Sequence, residues 1–365
     1  MALKKCAVGV HKQCVLLQAG SMRLAVTTNV GPRVIGCFIG KKSTFNHFAV
    51  LPPTPMENVS NGFTLYGGHR LWHSPEELPR TYEPDNAPVK VEEKKYRVLF
   101  SSAPCPETGI SKTIAVEPLT NGLFSLSHWI TNHGLWTVKL APWTLSQMAP
   151  GGTCVLPLGN IPDGNPFAPD RTVNFWPYTD LKDPRLTMGN RFITVRHDPK
   201  AESPLKVGVR NRCQWVAYLN HGQALVKYFQ FFREQPYPDN GCSTECYTCK
   251  DFTEMELLGP LVEIAPGKTV EFVEFWQGID GLPELTTEDE IAAALYPNLI
   301  IDPESVCDED DDCECGDEDD DCECGCEDDD CECGCEHEAP AKKSSSKKAS
   351  TSKRKGATAS KKSKK

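Results

Sequence analysis

The chain has 365 residues, of which 39% are hydrophobic, and a formal net charge of −11. That length accommodates one large domain or two of ordinary size. The charge is local, because residues 302–338 hold 21 acidic and no basic side chains, and residues 342–365 hold 11 basic and no acidic ones. The rest of the chain has 28 basic and 29 acidic residues. A balance this close to neutral argues against a nucleic-acid or membrane surface on the body of the protein.

No run of 18 apolar residues is present, so no membrane span and no membrane partner is expected. The charged start of the chain is followed by His11, Lys12 and Gln13, which interrupt any signal-peptide core. We therefore expect a cytoplasmic protein. In that compartment its 18 cysteines are predicted to be thiols or metal ligands rather than disulfides.

Between residues 14 and 281, short apolar runs bounded by turn residues predict a β protein. The strongest runs are 14–17, 23–27, 33–39, 96–100, 124–130, 137–143, 224–232 and 269–276. The last run alternates apolar and acidic residues and predicts a strand with one wet face. Turns are predicted at 132–134, 220–222 and 266–267. One helix is expected after residue 287, where Thr287 and Glu290 form a capping box and Pro297 ends the helical pattern.

Ten consecutive residues contain the chain's highest concentration of side chains that can bind a ligand or transfer a proton. They are Gly67-Gly68-His69-Arg70-Leu71-Trp72-His73-Ser74-Pro75-Glu76. Two glycines allow a tight turn and the close approach of a ligand. The imidazoles, guanidinium, indole and carboxylate that follow can bind hydroxyl groups, stack on a sugar ring and move protons. The alternative is a rigid surface loop whose polar groups cap neighbouring strands.

Four segments in a fixed order carry a family resemblance. They are 24–36, 67–76 with 84–89, 132–143, and 254–268 followed by a final alternating strand. Through them, residues 14–280 resemble the galactose mutarotase-like superfamily, which has the aldose 1-epimerase fold, and are most similar to an uncharacterised bacterial branch of it. The resemblance implies an all-β, galactose mutarotase-like antiparallel super-sandwich over residues 1–300, with a sugar-sized groove on one sheet. Fold does not determine function, since the superfamily includes epimerases, lyase and hydrolase domains, and binding modules.

Mutarotation needs a base at the anomeric hydroxyl and an acid at the ring oxygen of the sugar. The resemblance implies that a late glutamate is the base. Glu256 matches that position best, although Glu254 lies on the same face of the strand two residues earlier. The family's middle histidine is absent from 140–147, where Trp143 stands near its place. His69 or His73 could supply the acid instead, and His69 is taken as the candidate. The alternative for Glu256 is an exposed strand residue without a chemical role.

Six side chains are predicted to hold the sugar. They are Arg70, Trp72, His73, Glu76, Trp143 and Trp176. Arg70 offers a fixed fork of donors, and its alternative role is a salt bridge with Glu76 or Glu77. Trp176 is predicted to form a second aromatic wall, or else to close a long loop over a sheet.

A thiol cluster lies between residues 242 and 249. Cys246-x-x-Cys249 fits half of a zinc site, but the body has no second pair at matching spacing. A loop of reduced cysteines is the favoured interpretation.

The chain ends in two low-complexity segments. Residues 301–338 form an acidic tail in which Cys-x-Cys-Gly units recur nine residues apart, and residues 339–365 form a basic tail rich in Lys and Ser. Closely spaced thiolates in a flexible acidic chain suit Zn²⁺ or Cu⁺, so we expect a zinc site there. The predicted ligands are Cys313, Cys315, Cys322, Cys324, Cys326, Cys331, Cys333 and Cys335. An acidic spacer with oxidisable cysteines is the alternative.

The basic tail is expected either to contact nucleic acid through phosphates, without sequence preference, or to pair with the acidic tail beside it.

Together these observations predict a carbohydrate-binding protein of the aldose 1-epimerase type. It binds a small sugar or sugar derivative and interconverts its anomers without a cofactor in the sandwich domain. The alternatives are a non-catalytic sugar-binding module and a metal-buffering protein that acts through its Cys-rich tail.

Overall fold

The computed structural model describes residues 3–56, 59–159, 167, 169 and 171–301. The acidic and basic tails lie outside these residues, apart from residue 301 at the boundary. The described residues form 22 strands, the one-turn helix α1 (Pro238–Gly241), the helix α2 (Glu288–Leu295) and a 3₁₀ turn at Tyr296–Asn298.

The strands are β1 (Lys4–Val8), β2 (His11–Ala19), β3 (Met22–Thr27), β4 (Arg33–Phe38), β5 (Val50–Pro55), β6 (Thr64–Ser74), β7 (Lys90–Glu93), β8 (Val98–Ser101), β9 (Ile110–Pro118), β10 (Phe124–Asn132), β11 (Val138–Met148), β12 (Thr153–Pro157), β13 (Val173–Phe175), β14 (Leu186–Met188), β15 (Phe192–Arg196), β16 (Leu205–Val209), β17 (Trp215–Asn220), β18 (Gln223–Phe229), β19 (Thr244–Thr248), β20 (Thr253–Leu258), β21 (Val262–Ile264) and β22 (Thr269–Asp280).

The strands pair antiparallel in two sheets. The first has the order β1-β2-β3-β4-β6-β11-β20-β19-β16-β13, with β5 paired to β6 and β21 to β11. The second has the order β14-β15-β12-β17-β18-β22-β10-β9-β8-β7. Both sheets contribute to one buried apolar cluster that includes Met255 and Leu257 from β20 and Phe272 and Trp276 from β22. The predicted all-β antiparallel super-sandwich is confirmed.

Most of the predicted elements are present with shifted ends. Each of the eight apolar runs falls in a strand, but β8 begins at Val98 and β18 ends at Phe229. The predicted turn at 220–222 joins β17 and β18, and its residues His221 and Gly222 have φ of 53° and 68°. Positive φ at both central positions is typical of the tight turns that suit the twist of a hairpin.

The prediction that the acidic residues of β22 lie on one solvent-exposed face is wrong in one respect. Glu274 is fully buried on the inner face, where its carboxylate lies 3.0 Å from Lys227 Nζ, whereas Phe275 is 39% exposed on the outer face. An ammonium group from the neighbouring strand β18 allows the carboxylate to lie inside. The pattern of apolar and acidic residues therefore did not define the two faces.

The segment 67–76 is not a surface loop, because residues up to Ser74 belong to β6 near the middle of the first sheet. Gly67 and Gly68 have φ of 86° and 71°. A Cβ on Gly67 would lie 2.1 Å from the carbonyl oxygen of Ala49, and one on Gly68 would lie 2.4 Å from that of Val34. The glycines thus allow neighbouring strand backbones, rather than a ligand, to come close where β6 changes partner from β5 to β4.

Helix α2 forms as predicted. The Thr287 side chain accepts from the Glu290 backbone and the Glu290 side chain accepts from the Thr287 backbone, which completes the capping box. Its buried residues Ile291, Ala292 and Leu295 pack with Trp215 in a second apolar cluster. Within the described residues, no helix is long and apolar enough to cross a membrane.

Candidate functional site

A groove lies on the outer face of the first sheet, over its neighbouring strands β6, β11, β20, β19 and β16. The cavity measures about 360 Å³, within the range of small-molecule sites. Its lining from the strands includes Arg70, Trp72, Trp143, Gln147, Lys206, Tyr247, Glu254 and Glu256; Glu76, Tyr82, Trp176 and Tyr178 line it from the connecting segments. Alternation along each strand explains the set, because every second residue points into the groove and its neighbours point into the core.

Indole rings form much of the groove wall. The rings of Trp72 and Trp143 meet edge to face with centroids 5.4 Å apart. Both are buried, together with Phe63 and Leu145, in an apolar cluster under the groove. Trp176, from the segment after β13, is only half-buried. Part of its ring is therefore exposed at the edge of the cavity.

Lys206 holds two carboxylates at one end of the groove. Its Nζ lies 2.7 Å from Oε2 of Glu245 and 3.0 Å from Oε2 of Glu256. The ammonium group is also 4.8 Å from the Trp143 ring centre and 4.5 Å from that of Trp176. Burial opposes its charge, but the two carboxylates raise the pKa of Lys206 well above its usual value. Burial raises the pKa of the Glu245 carboxyl, and Lys206 opposes that shift.

Glu256 is fixed by two donors. Its Oε2 accepts from Trp143 Nε1 at 2.9 Å and from Lys206 Nζ at 3.0 Å. Its Oε1 is buried and has no hydrogen-bond partner among the described residues. The alternative of an exposed strand residue is therefore wrong, because Glu256 is fully buried against the groove.

Glu254 lies beside Glu256 on the same face of β20. Its Oε1 accepts from Gln147 Nε2 at 3.0 Å and from Arg70 Nη2 at 3.4 Å. Burial raises the pKa of Glu254 to about 7, the nearby charge of Glu256 adds to the rise, and Arg70 opposes it. A carboxyl group with this pKa exchanges protons readily at neutral pH.

The groove brings together most of the residues predicted to form the site. Arg70, Trp72, Glu76, Trp143, Trp176 and Glu256 all line the same cavity. Arg70 pairs with Glu254 rather than with Glu76 or Glu77. Glu76 is exposed and accepts a hydrogen bond from the Tyr82 hydroxyl. These placements support a shared role for the six side chains, but their roles toward a ligand stay predictions.

His69 does not lie in the groove, which corrects its predicted pairing with Glu256. It precedes Arg70 on β6 and points to the opposite face, into the space between the sheets, where it is fully buried. Lys227 Nζ lies 3.3 Å from its Nδ1 and the Ser146 hydroxyl 2.9 Å from the same atom. The ammonium group can only donate, so Nδ1 accepts and the His69 proton lies on Nε2, 2.8 Å from Nε2 of His128, whose Nδ1 donates to the Phe272 carbonyl. His69 thus belongs to a buried chain of hydrogen bonds and cannot reach a sugar in the groove.

His73 also lies outside the groove, because it shares the inner face of β6 with His69. It is fully buried, and neither ring nitrogen has a hydrogen-bond partner among the described residues. It borders a different cavity of about 300 Å³ with Arg80 and Glu83. Burial lowers its pKa well below the usual value. The prediction that His73 contacts the same sugar as Arg70 is therefore wrong.

One group of three potential metal ligands occurs in the described part of the chain. Side-chain atoms of His69, His128 and Glu274 lie within 4.8 Å of one another. Lys227 is 3.0 Å from the Glu274 carboxylate and 3.3 Å from His69, so an ammonium group already supplies the positive charge there. We interpret the group as a buried polar network.

Cys242, Cys246 and Cys249 lie just before, within and just after β19. Cys242 and Cys246 are fully buried and Cys249 is half-buried near the end of β19. Asn174 Nδ2 lies 3.1 Å from the Cys242 sulfur. Among the described residues, no cluster of three potential ligands includes these cysteines. The predicted zinc ligands from Cys313 to Cys335 lie outside the described residues.

Several polar members of the groove were not predicted from the sequence, among them Lys206 and Gln147. Nor was the buried Glu245, which pairs with Lys206. Lys206 is the single charge in the otherwise apolar β16 and Glu245 is the single charge in β19, and such a charge is buried only when it is paired. That signal was present in the runs 205–209 and 244–248. It did not identify which residues pair, because Glu245 and Glu256 lie about 40 and 50 residues from Lys206 in the sequence.

No family model and no curated protein matches this chain. Among solved structures, a TPR-domain containing protein from Parabacteroides distasonis matches with a TM-score of 0.48 and 13% identity, over 75% of this chain and 49% of that one. The chain therefore spans about half the length of that protein. A putative aldose 1-epimerase from Klebsiella pneumoniae matches with a TM-score of 0.48 and 10% identity, over 79% and 84% of the two chains. A galactose mutarotase-like protein from Lactobacillus casei matches with a TM-score of 0.44 and 10% identity, over 73% and 99%.

Several of the matching structures thus have the description that the sequence resemblance suggested. At these identities and TM-scores the likeness gives no information about activity.

Proposed function

We propose that the groove on the first sheet binds a sugar or sugar derivative and that the protein interconverts its anomers. The observation that carries this proposal is the convergence of three indole rings, a guanidinium, an ammonium and three carboxyl groups on one cavity. Aromatic faces stack on the apolar face of a pyranose, and charged groups bind its hydroxyls. Convergent polar groups in a largely aromatic pocket are typical of a small-molecule site.

Glu256 is the base in this proposal. Glu256 lines the cavity, and its buried Oε1 is the oxygen without a partner among the described residues, so we assign to it the proton of the anomeric hydroxyl. The two donors on Oε2 keep the carboxylate in place. Removing that proton drives electrons toward the ring carbon–oxygen bond, which opens the ring. Closure on the other face of the aldehyde then gives the other anomer.

Saturation-transfer NMR with D-glucose, D-galactose, D-mannose and their common disaccharides tests the binding half of the proposal. We expect at least one of these sugars to bind and Trp176→Ala to weaken that binding, because it removes an aromatic face at the cavity edge. Trp136→Ala is the matched control, since Trp136 is 77% exposed in the turn before β11 and does not line the groove. Equal loss in both variants, or no binding of any sugar in the panel, would contradict the proposal.

Exchange spectroscopy between the two anomers of each bound sugar tests the catalytic half. Glu256→Gln should bind the sugar and exchange its anomers more slowly than the wild type. A wild-type protein that binds sugar without accelerating the exchange would instead be a non-catalytic sugar-binding module.

A further inference from the structure

The two carboxyl groups of β20 differ in their access to the groove. The Glu254 side chain is 11% exposed and that of Glu256 is 1% exposed. Glu254 accepts two hydrogen bonds, from Gln147 and Arg70, and both go to Oε1. Among the described residues no side chain donates to its Oε2, which is therefore the oxygen available to a ligand in the cavity.

The spacing of the two carboxyl groups suits one sugar ring. Glu254 and Glu256 are two residues apart on one face of a strand, so their Cα atoms are separated by roughly 7 Å. Their partners differ, because Arg70 and Gln147 hold the first and Trp143 and Lys206 the second. A ring oxygen and an anomeric hydroxyl placed between them can each meet a different carboxyl group.

Ring opening needs an acid as well as a base, and the groove has no imidazole to provide one. No histidine is among the described residues that line the cavity, since His69 and His73 point to the other face of β6. The other proton-bearing candidates are poorly suited: Lys206 is held between two carboxylates, and burial raises the pKa of the Tyr178 hydroxyl. Glu76 also lines the cavity but lies in the segment after β6, so Glu254 is the group with an accessible oxygen that stands beside Glu256 on β20.

We infer that Glu254 is the general acid of the groove and takes the place of the missing histidine, an inference that rests on the proposed function. Protonated Glu254 gives the proton on its Oε2 to the ring oxygen as the bond between that oxygen and the anomeric carbon breaks. The anomeric hydroxyl gives its proton to Glu256, and its oxygen becomes the aldehyde oxygen. Ring closure returns both protons, so neither a redox partner nor a net proton is required.

The electrostatics of the groove favour this role. Burial and the neighbouring Glu256 raise the pKa of Glu254 to about 7, so a substantial fraction is protonated at neutral pH. Arg70 opposes the rise. An acid whose pKa lies near the working pH transfers its proton most effectively.

Glu254→Gln tests the inference, because the amide has the same shape and cannot deliver a proton. With the panel sugar that the wild type binds and exchanges most strongly, we expect kcat for anomer exchange to fall on the order of 100-fold, with little change in KM. Glu254→Asp should recover part of the rate. Glu263→Gln is the matched control, since Glu263 is an exposed carboxylate on β21 outside the groove, and it should leave kcat unchanged.

The pH dependence of the wild type gives a second readout that needs no variant. After subtraction of the uncatalysed exchange, kcat should decline as the pH rises above about 7, because Glu254 then loses its proton. The residual rate of Glu254→Gln should lack this decline.

Three outcomes decide the matter. A fall in kcat for Glu254→Gln with sugar binding retained supports the inference. Wild-type kcat in Glu254→Gln, or a wild-type rate that does not decline above pH 7, overturns it while the proposed sugar binding and exchange stand. Failure of the wild type to exchange any sugar that it binds overturns it together with the catalytic half of the proposed function.

Discussion

Arg70 Nη2 on β6 lies 3.4 Å from Glu254 Oε1 on β20, although β11 separates these two strands in the sheet. The guanidinium carbon is 4.1 Å from the ring centre of Trp72, and the Nε and Nη1 atoms are buried without a hydrogen-bond partner among the described residues. Burial lowers the pKa of Arg70 to about 10, so it stays charged at neutral pH. Arg70 is thus a fixed positive charge beside Glu254.

This arrangement predicts a shifted pH profile for Arg70→Gln. Arg70 favours the ionised form of Glu254, so its removal should raise the pKa of that carboxyl further. The pH above which anomer exchange declines should then move to a higher value, as measured by kcat against pH. Arg70→Lys keeps the charge and should shift the profile less. An unchanged or lower value in Arg70→Gln would contradict the assigned electrostatic role.

Lys206→Met is expected to destabilise the fold strongly. The substitution leaves two buried carboxyl groups, Glu245 and Glu256, without their shared cation. Breaking a buried ion pair by removing one partner costs about 3–5 kcal/mol. Urea denaturation should show this loss in the free energy of unfolding, and adding Glu245→Gln to Lys206→Met should recover part of it. Lys139→Met, at an exposed position of β11, is the control and should change little.

Local patterns were sufficient to predict eight of the 22 strands and the capped helix, because a strand or a cap depends on neighbouring residues. The runs 124–130 and 137–143 alternate or stay apolar over enough residues to require burial, and Thr287 with Glu290 completes a cap within one turn. The same logic failed at β22. Whether Glu274 faces water or the core depends on Lys227, which is distant in sequence and adjacent in the sheet.

The groove was predicted only in part, because it also depends on residues that are distant in sequence. Trp143 and Glu256 were assigned from the order of family-like segments, and they lie 2.9 Å apart through a hydrogen bond. His69 and Arg70 are adjacent in sequence and were assigned to one site, although adjacent strand residues face opposite ways. The tight turn predicted at Gly67 and Gly68 removed that constraint. The two glycines are needed because the backbones of β4 and β5 come close to them, and no local sequence pattern reveals that reason.

His69 and His73 give a matched pair for testing the interior of the sandwich. Both are fully buried on the same face of β6, but His69 has hydrogen-bond partners and His73 has none among the described residues. Loss of a buried hydrogen-bonding partner costs about 1–3 kcal/mol, so His69→Phe should lower the free energy of unfolding by that amount. His73→Phe should leave it unchanged or raise it. Equal destabilisation by the two variants would contradict the assigned partners.

The buried histidines also predict how stability depends on pH. Burial lowers the pKa of His69 and His128 below the usual 6.5. As the pH falls below that value, the unfolded chain binds protons that the folded chain does not, so the free energy of unfolding decreases. The slope is up to about 1.4 kcal/mol per pH unit for each histidine that stays neutral when folded. Denaturation at several pH values between 5 and 8 measures it.

The control for this dependence is His133, which is exposed. His128→Gln should reduce the slope more than His133→Gln does. Equal slopes in the two variants would show that His69 and His128 do not account for the loss of stability at low pH.

The Cys-rich tail predicts zinc binding that is independent of the groove. Nine cysteines lie between Cys307 and Cys335, enough for two tetrahedral sites of four thiolates each with one thiol to spare. Zinc titration of the reduced full-length protein should therefore show up to about two more bound ions than a chain that ends at Pro303. Acidic neighbours raise thiol pKa values and oppose metal binding, so the extra sites should weaken as the pH falls. Equal stoichiometry for the two chains would leave the tail as an acidic spacer, because the thiols retained in both chains would then account for all of the bound zinc.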